Sequence, residues 1–465
     1  MPPPSGFLEA LRYPLFSALF ARRSRRISKG IKEVRAESLT YTSDQEPQPL
    51  SELEEAVLIA TVGHTGLPKP DRPFEDEQGR DVLGTPNLFN VGRSSGSPDN
   101  AQATHFFLIN DTGTYFLRPP ANPEPLGELQ PDGQVRLDPD ALVAHAQASK
   151  VRVLDRRLEL PRQMPYYVGS NRFYSNLPGS TILLPVVDIT RQYINGLMFL
   201  LTQPEGFRPT FTDDTNLNRP AGVRKWVRSG YLNGDLQFPL GVIGSLRAPL
   251  EAPMLLQNLM LVLQSMGLGG WIHASFSGPI LTGHPYLERR GIRGAFAPED
   301  PSGFIYQEPR FRLRNIFNWL TFSDGVRPNP IGFQHEGEVL IEGLSPPLVK
   351  NMDEAVDRVI EQKYGEGGVY RDIDYFERIY KGDFAASYIE EVPGFTDTTI
   401  EIAKAVCNYI YDRYRRFPAH ADAIQVPGIW LQAHHLDLAY YDKLFRDGYT
   451  EKHRDHEDRW HTGAN

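Results

Sequence analysis

Ser97-Pro98-Asp99-Asn100-Ala101-Gln102-Ala103-Thr104-His105-Phe106-Phe107-Leu108-Ile109 is the stretch around which the chain is organised. Its first half is loop chemistry, because Gly92, Ser94, Ser95, Gly96, Ser97 and Pro98 give the backbone no reason to be helical. Its second half reads as a strand. Thr104, Phe106 and Leu108 fall on one face and His105, Phe107 and Ile109 on the other, so apolar residues on both faces predict a buried strand. Asn110-Asp111-Thr112-Gly113 then turns the chain into Thr114-Tyr115-Phe116-Leu117, which predicts a hairpin. A loop of small residues feeding a buried strand lets a planar ligand approach the backbone, while Ser97, Asn100 and Gln102 offer hydrogen bonds to its polar edge.

Working outward, 465 residues allow two or three domains, and a hydrophobic content of 40% supports a real core. A net charge of -9 argues against general nucleic-acid binding. The single cysteine, Cys407, excludes an intrachain disulfide and a cysteine-rich metal site, and fits a reducing, cytoplasmic setting. No stretch reads as a membrane span: the most apolar, residues 252–270, is interrupted by Gln257, Asn258, Gln264 and Ser265. Residues 7–20 are apolar but contain Glu9 and Arg12, and their basic cluster follows rather than precedes, the wrong order for a secretory signal.

That N-terminal segment predicts a short helix kinked at Pro14, followed by Arg22-Arg23-Ser24-Arg25-Arg26. Four guanidinium groups in five residues repel one another. Either a bound anion gathers them, since the arginine fork suits phosphate, or they form a solvated basic patch or membrane-surface anchor. Ser51-Glu52-Leu53-Glu54 is a capping box that opens a helix with Leu53, Ala56, Val57 and Ala60 on its apolar face and Gly63 at its end. Residues 66–88 read as an exposed insertion and 118–138 as surface loop, with a helix over 139–148 capped by Asp138. Thr181–Val187 is a continuous apolar strand, and residues 193–201 are core in any fold. Leu255, Leu259, Leu263 and Met266 repeat at helical spacing until Gly267, and Gly269-Gly270-Trp271-Ile272-His273 enters a strand.

These landmarks resemble the nitroreductase superfamily. Ser97, Asn100, Gln102 and Phe106 match the spacing of its flavin-contacting segment, with Ala103-Thr104 where that pattern has Pro-Trp. The Arg-Arg-Ser-x-Arg run ahead of a capped helix resembles the family's hold on the flavin phosphate and ribityl chain. The Gln257-Asn258-Leu259 helix ending in Gly267-Leu268-Gly269 resembles the element whose following strand lines the isoalloxazine. The combination is most similar to the branch containing peptide azoline dehydrogenases.

The resemblance implies an α+β fold with a central, mostly antiparallel sheet flanked by helices. It also implies FMN, usually at a homodimer interface to which the arginine cluster and the Ser97 loop come from different subunits. Arg22, Arg23, Ser24, Arg26, Ser97, Pro98, Asn100, Gln102, Trp271, Ile272 and His273 would face the cofactor, while Arg25 points elsewhere. Hydride would pass through the flavin between a donor such as NAD(P)H and an organic acceptor. The acceptor or substrate would be a small molecule or peptide, with dehydrogenation of a peptide or natural-product intermediate as the alternative. A redox-inactive binding or scaffold protein on the same fold is the other reading. No side chain is required as acid or base.

The expected division is 1–335 for the flavin-binding part and 336–465 for a helical C-terminal extension. The tail predicts helices carrying Met352, Val356 and Val359, then Ile402, Val406 and Ile410, and a third opened by Pro427 with Ile429, Trp430, Ala433, His434, Leu438 and Tyr441. On that last helix His434 and Asp437 share a face, but two ligands do not make a metal site, and a hydrogen-bonded pair is expected instead. His453, His456 and His461 fall in a polar terminus expected to fray.

Overall fold

The computed structural model describes residues 3–68, 86–120, 125–244, 247–275, 277–296, 301–309, 313, 316–320, 327–391 and 394–461. Most of the expected insertion at 66–88 therefore lies outside the described residues. The central sheet consists of β1 (Thr104–Asn110), β2 (Gly113–Leu117), β3 (Lys150–Leu154), β4 (Thr181–Asp188), β5 (Gly269–His273), β6 (Ile424–Gln425) and β7 (Trp430–His434). Its order is β5-β7-β4-β1-β2-β3, every neighbouring pair antiparallel, with β6 paired to β4. The chain is thus an α+β protein, with β1 and β2 forming the expected hairpin.

The helices that build the core are α1 (Ser5–Leu11), α2 (Leu15–Ala21), α3 (Glu52–Val62), α4 (Pro139–Ser149), α5 (Thr190–Leu201), α6 (Glu251–Met266), α7 (Met352–Tyr364), α8 (Asp397–Tyr414), α9 (Leu438–Leu444), α10 (Glu451–Arg454) and α11 (His456–Trp460). On one face of the sheet Phe106, Leu108, Leu183, Leu431 and Ala433 meet Leu255, Leu259 and Leu263 of α6 and Leu58 and Ile59 of α3. On the other, Phe107, Phe116, Ile182, Leu184 and Trp430 meet Phe333 and Ile341 of a smaller three-stranded antiparallel sheet. A further cluster joins α5, α7 and α8 through Ile194, Leu197, Val356, Val359, Ile402 and Val406. Each side chain buried this fully contributes about 1.5–3 kcal/mol. Cys407 is in that cluster, and burial pushes its thiol pKa up, so it packs rather than reacts.

Local chemistry sets several boundaries. Ser51 Oγ accepts from Glu54 N at 3.3 Å and Ser51 N donates to Glu54 Oε2 at 2.6 Å, completing the capping box of α3. Gly267 ends α6 at φ 83°, and a Cβ there would lie 2.2 Å from Lys452 O, so the C-terminal residues close directly on that helix end.

The expected helix from Pro427 is corrected. Residues 430–434 are β7, inserted between β4 and β5, and a helix resumes only at Leu438. Trp430-Leu431-Gln432-Ala433-His434 is buried at every position. A short run covered on both faces carries neither a helical nor a two-residue period, and Gly428 at φ 76° breaks the chain just ahead of it. The chain beyond 335 is accordingly not purely helical: it threads β6 and β7 into the central sheet and packs α7 and α8 against α5. Among the described residues no helix is long and apolar enough to cross a membrane.

Candidate functional site

The arginine run leaves α2 and crosses the end of the sheet edge as an extended arm. Arg25 N donates to Gly270 O at 3.0 Å, a bridge to β5 between residues far apart in sequence. The two glycines of β5 are dictated by close packing. A Cβ on Gly269 would lie 2.9 Å from His434 Nε2, and one on Gly270 would lie 2.3 Å from Leu263 Cδ1. Exposure alternates from Ser24 to Ile27: Ser24 and Arg26 are exposed and Arg25 and Ile27 buried, while Arg22 is half-buried and Arg23 exposed. Arg25 Nε reaches Gly448 O at 2.9 Å and its Nη1 reaches Gln264 Oε1 at 3.2 Å. The Arg26 guanidinium instead lies over the Trp271 ring, 4.9 Å from its centroid. Among the described residues, Arg22, Arg23 and Arg26 form no ion pair with a carboxylate.

Beneath the arm, alternate residues of β5 and β7 share one face. Register places Trp271 opposite Gln432 and His273 opposite Trp430. The Trp271 and His273 rings stack with centroids 3.9 Å apart, and His273 Nδ1 lies 2.7 Å from Ser275 Oγ. Burial, helped by the nearby Arg26 charge, lowers the His273 pKa to about 3, so its imidazole is neutral. Ile272 projects to the opposite face, among the residues packed on α6. Two polar atoms on the Trp271 face are buried with no hydrogen-bond partner, Trp271 Nε1 and His273 Nε2. Buried polar atoms without partners are costly, so a polar ligand group that reached these would relieve that cost.

The Ser97 loop lies elsewhere in the same chain. Gly270 is level with Thr181 of β4 through Ala433, whereas Thr104 is level with Val187. That is six residues further along β4, about 20 Å at a rise of ~3.3 Å per residue, with three strand spacings in addition. Within the loop, Asp99, Asn100 and Gln102 hold positive φ angles of 50°, 43° and 48°. The Ser97 hydroxyl and the Asn100 and Gln102 side-chain amides stabilise this unusual backbone. Gln102 N donates to Ser97 Oγ at 2.9 Å, Asn100 Nδ2 to Val91 O at 3.0 Å, and Gln102 Nε2 to Val91 O at 2.6 Å. Pro98 opens a single 3-10 turn. Gln102 Oε1 remains buried without a partner. Gln102 also lines a cavity of about 260 Å³ with Arg93, His64, His105 and Phe106. At its edge Glu251 forms a buried ion pair with Arg93 at 3.1 Å and accepts from Thr104 N at 3.0 Å.

So the structure brings Arg26 together with Trp271 and His273, whereas the Arg23 guanidinium donates to Asp447 O at 2.7 Å. Ser97, Pro98, Asn100 and Gln102 sit in a second group at the other end of the sheet.

A third group is one that sequence reasoning missed. His456 is buried and His461 partly buried, contrary to the expected frayed terminus, and both lie against Glu54 of α3 together with His435. His434 and Asp437 do not share a helix face, since His434 ends β7. The partner of these histidines lies some 400 residues earlier in the capping box. The only sequence hint was the spacing of His453, His456 and His461 in a segment otherwise read as solvated.

No protein-family model and no curated protein matches the chain. A solved structure named "putative nitroreductase", from Ralstonia eutropha JMP134, is similar to it with a TM-score of 0.23 and 15% sequence identity. The match covers 62% of this chain and 77% of that one, and at that TM-score the likeness carries no argument about fold or function.

Proposed function

We propose that this chain is an FMN-dependent oxidoreductase of nitroreductase type, acting in the cytoplasm as a homodimer. The observation that carries this reading is the meeting of the Arg22–Arg26 arm with β5, two segments some 245 residues apart that converge around Trp271. Among the described residues Arg22, Arg23 and Arg26 have no carboxylate partner, although Arg23 donates to Asp447 O, and guanidinium groups so placed are the donor set a phosphate monoester needs. Trp271 Nε1 is an unpaired buried donor, and neutral His273 can offer a nitrogen without adding charge. When bound, the flavin supplies a two-electron carrier that exchanges hydride through its N5.

The role of the protein is to hold and orient that ring and keep water from it. The separation of the Ser97 loop from the arm within one chain fits a site completed by a second copy. Leu15, Phe16 and Phe20, immediately before the arm, are 61%, 72% and 85% exposed, an apolar face suited to burial between subunits. NAD(P)H is the proposed donor, and a small molecule or peptide the proposed acceptor or substrate.

A second reading is favoured by one observation: the amides of Asn100 and Gln102 are already bonded to their own loop. That suits a protein that has kept the fold and serves as a binding or scaffold subunit. Anaerobic mixing of FMN-loaded protein with NADH or NADPH separates the two. Bleaching of the flavin absorbance supports the oxidoreductase, whereas bound flavin that neither nicotinamide nor dithionite reduces supports the scaffold.

A further inference from the structure

We infer that Glu54, His435, His456 and His461 form a four-coordinate site for a zinc-class divalent cation. This inference is independent of the flavin reading. One ligand atom from each residue lies within 4.8 Å of the others. Glu54 Oε1 is 2.6 Å from His456 Nε2 and 3.4 Å from His461 Nε2, and Glu54 Oε2 is 3.6 Å from His435 Nε2. Ligands held about 2.0–2.1 Å from a tetrahedral zinc are roughly 3.3 Å apart, so the cluster is near that size, and the Glu54–His456 contact would open by roughly 0.7 Å on binding.

The hydrogen bonding inside the cluster asks for a cation. His456 Nδ1 lies 2.8 Å from Met266 O, a contact that requires Nδ1 to carry the proton and donate. Its Nε2 then presents a lone pair to a carboxylate oxygen at 2.6 Å unless a cation lies between them or a second proton is bound. His435 is only 2% exposed, yet neither of its ring nitrogens makes a hydrogen bond. Its Nδ1 faces Glu457 Oε1 at 3.5 Å and its Nε2 faces the cluster. A carboxylate or carbonyl behind the distal nitrogen is the usual way a protein orients a metal-binding imidazole, and both His435 and His456 have one. Glu54 Oε2 accepts from Ser51 N in the capping box, so Oε1 is the oxygen left for the cation.

The donor set selects the metal. Three imidazoles and one carboxylate disfavour magnesium and calcium, which take oxygen ligands, and a tetrahedral arrangement favours zinc over copper or nickel. Four protein ligands leave no open position, so the site is structural rather than catalytic. It would fasten three distant parts of the chain: the start of α3, the residue after β7, and the C-terminal α10–α11 segment. Lys29, just beyond the arginine arm, is drawn in as well, since its Nζ bonds Glu457 at 2.7 Å and its N donates to His435 O at 3.1 Å.

The test uses the full-length protein, stripped of metal by a chelator and titrated with zinc and with cobalt. The expected result is one zinc per chain, a rise in melting temperature of roughly 5 °C at saturation, and intense visible cobalt bands of tetrahedral type. His461→Ala, which changes the least buried ligand, should stay folded, lose those band intensities and bind zinc at least ~10-fold more weakly. Two results would overturn the site: folded, chelator-treated protein that takes up no stoichiometric zinc and gives no tetrahedral cobalt spectrum, or a His461→Ala variant with unchanged spectrum and affinity. Either would leave His456 as a hydrogen-bonded partner of Glu54.

Discussion

The Arg26 guanidinium lies 4.9 Å from the centre of the Trp271 ring, whereas Arg25, its neighbour, turns inward to Gly448 and Gln264. Adjacent arginines thus have opposite surroundings, and their substitution should have opposite consequences. Arg25→Ala leaves buried acceptors unbonded and should cost about 1.5–3 kcal/mol of folding stability. Arg26→Ala loses an exposed cation–π contact and should change stability by no more than about 1 kcal/mol. Its effect should appear in FMN affinity, weakened by about 1.5–3 kcal/mol through loss of a charge-assisted phosphate contact. Urea unfolding and flavin titration of the two variants check this. Equal effects in both assays would contradict the alternation along the arm.

The exposed apolar face of α2 makes a prediction about assembly. Replacing Phe16 and Phe20 by Glu places two charges where the proposed interface requires apolar contact, so the protein should become monomeric without unfolding. If the flavin site is shared between subunits, FMN affinity should fall with the dimer. Light scattering and flavin titration on the same samples test both parts. A variant that remains dimeric would remove α2 from the interface.

Lys363 predicts a pH dependence. It is fully buried on α7, donates to Asn195 Oδ1 at 2.8 Å, and burial lowers its pKa to about 7, partly offset by the charge of Asp99 in the Ser97 loop. Its ordinary value is 10.5. Between about pH 7 and 10.5 the unfolded chain holds a proton that the folded chain has released, so this residue makes stability rise with pH across that window. Below pH 7 both states are protonated, and the cost of burying the charge is fully present. The contribution to the slope should approach ~1.4 kcal/mol per pH unit. Lys363→Met should flatten the stability profile between pH 7.5 and 9.5 relative to the unaltered protein, and parallel profiles would refute it.

How much of this was legible from sequence follows from the range of the interactions. The Ser51 capping box, α6 with its Gly267 stop and the β1–β2 hairpin are specified within a few residues, so the sequence pattern sufficed. The strand at 430–434 was misread because it is buried on both faces, and Pro427 looked like a helix start. Glu54 read correctly as a capping residue, but its second role depends on His435, His456 and His461, which only tertiary folding brings near. The arm and β5 were each recognisable; their contact through Arg25 and Gly270 was not.

The most direct test of the central claim is the absorbance spectrum of the protein as purified, followed by release and identification of any chromophore. The account predicts flavin bands at about one per chain, with the released cofactor being FMN rather than FAD, because the sequence contains no G-x-G-x-x-G run of the kind that binds a dinucleotide. Colourless protein that also fails to take up added FMN would contradict it.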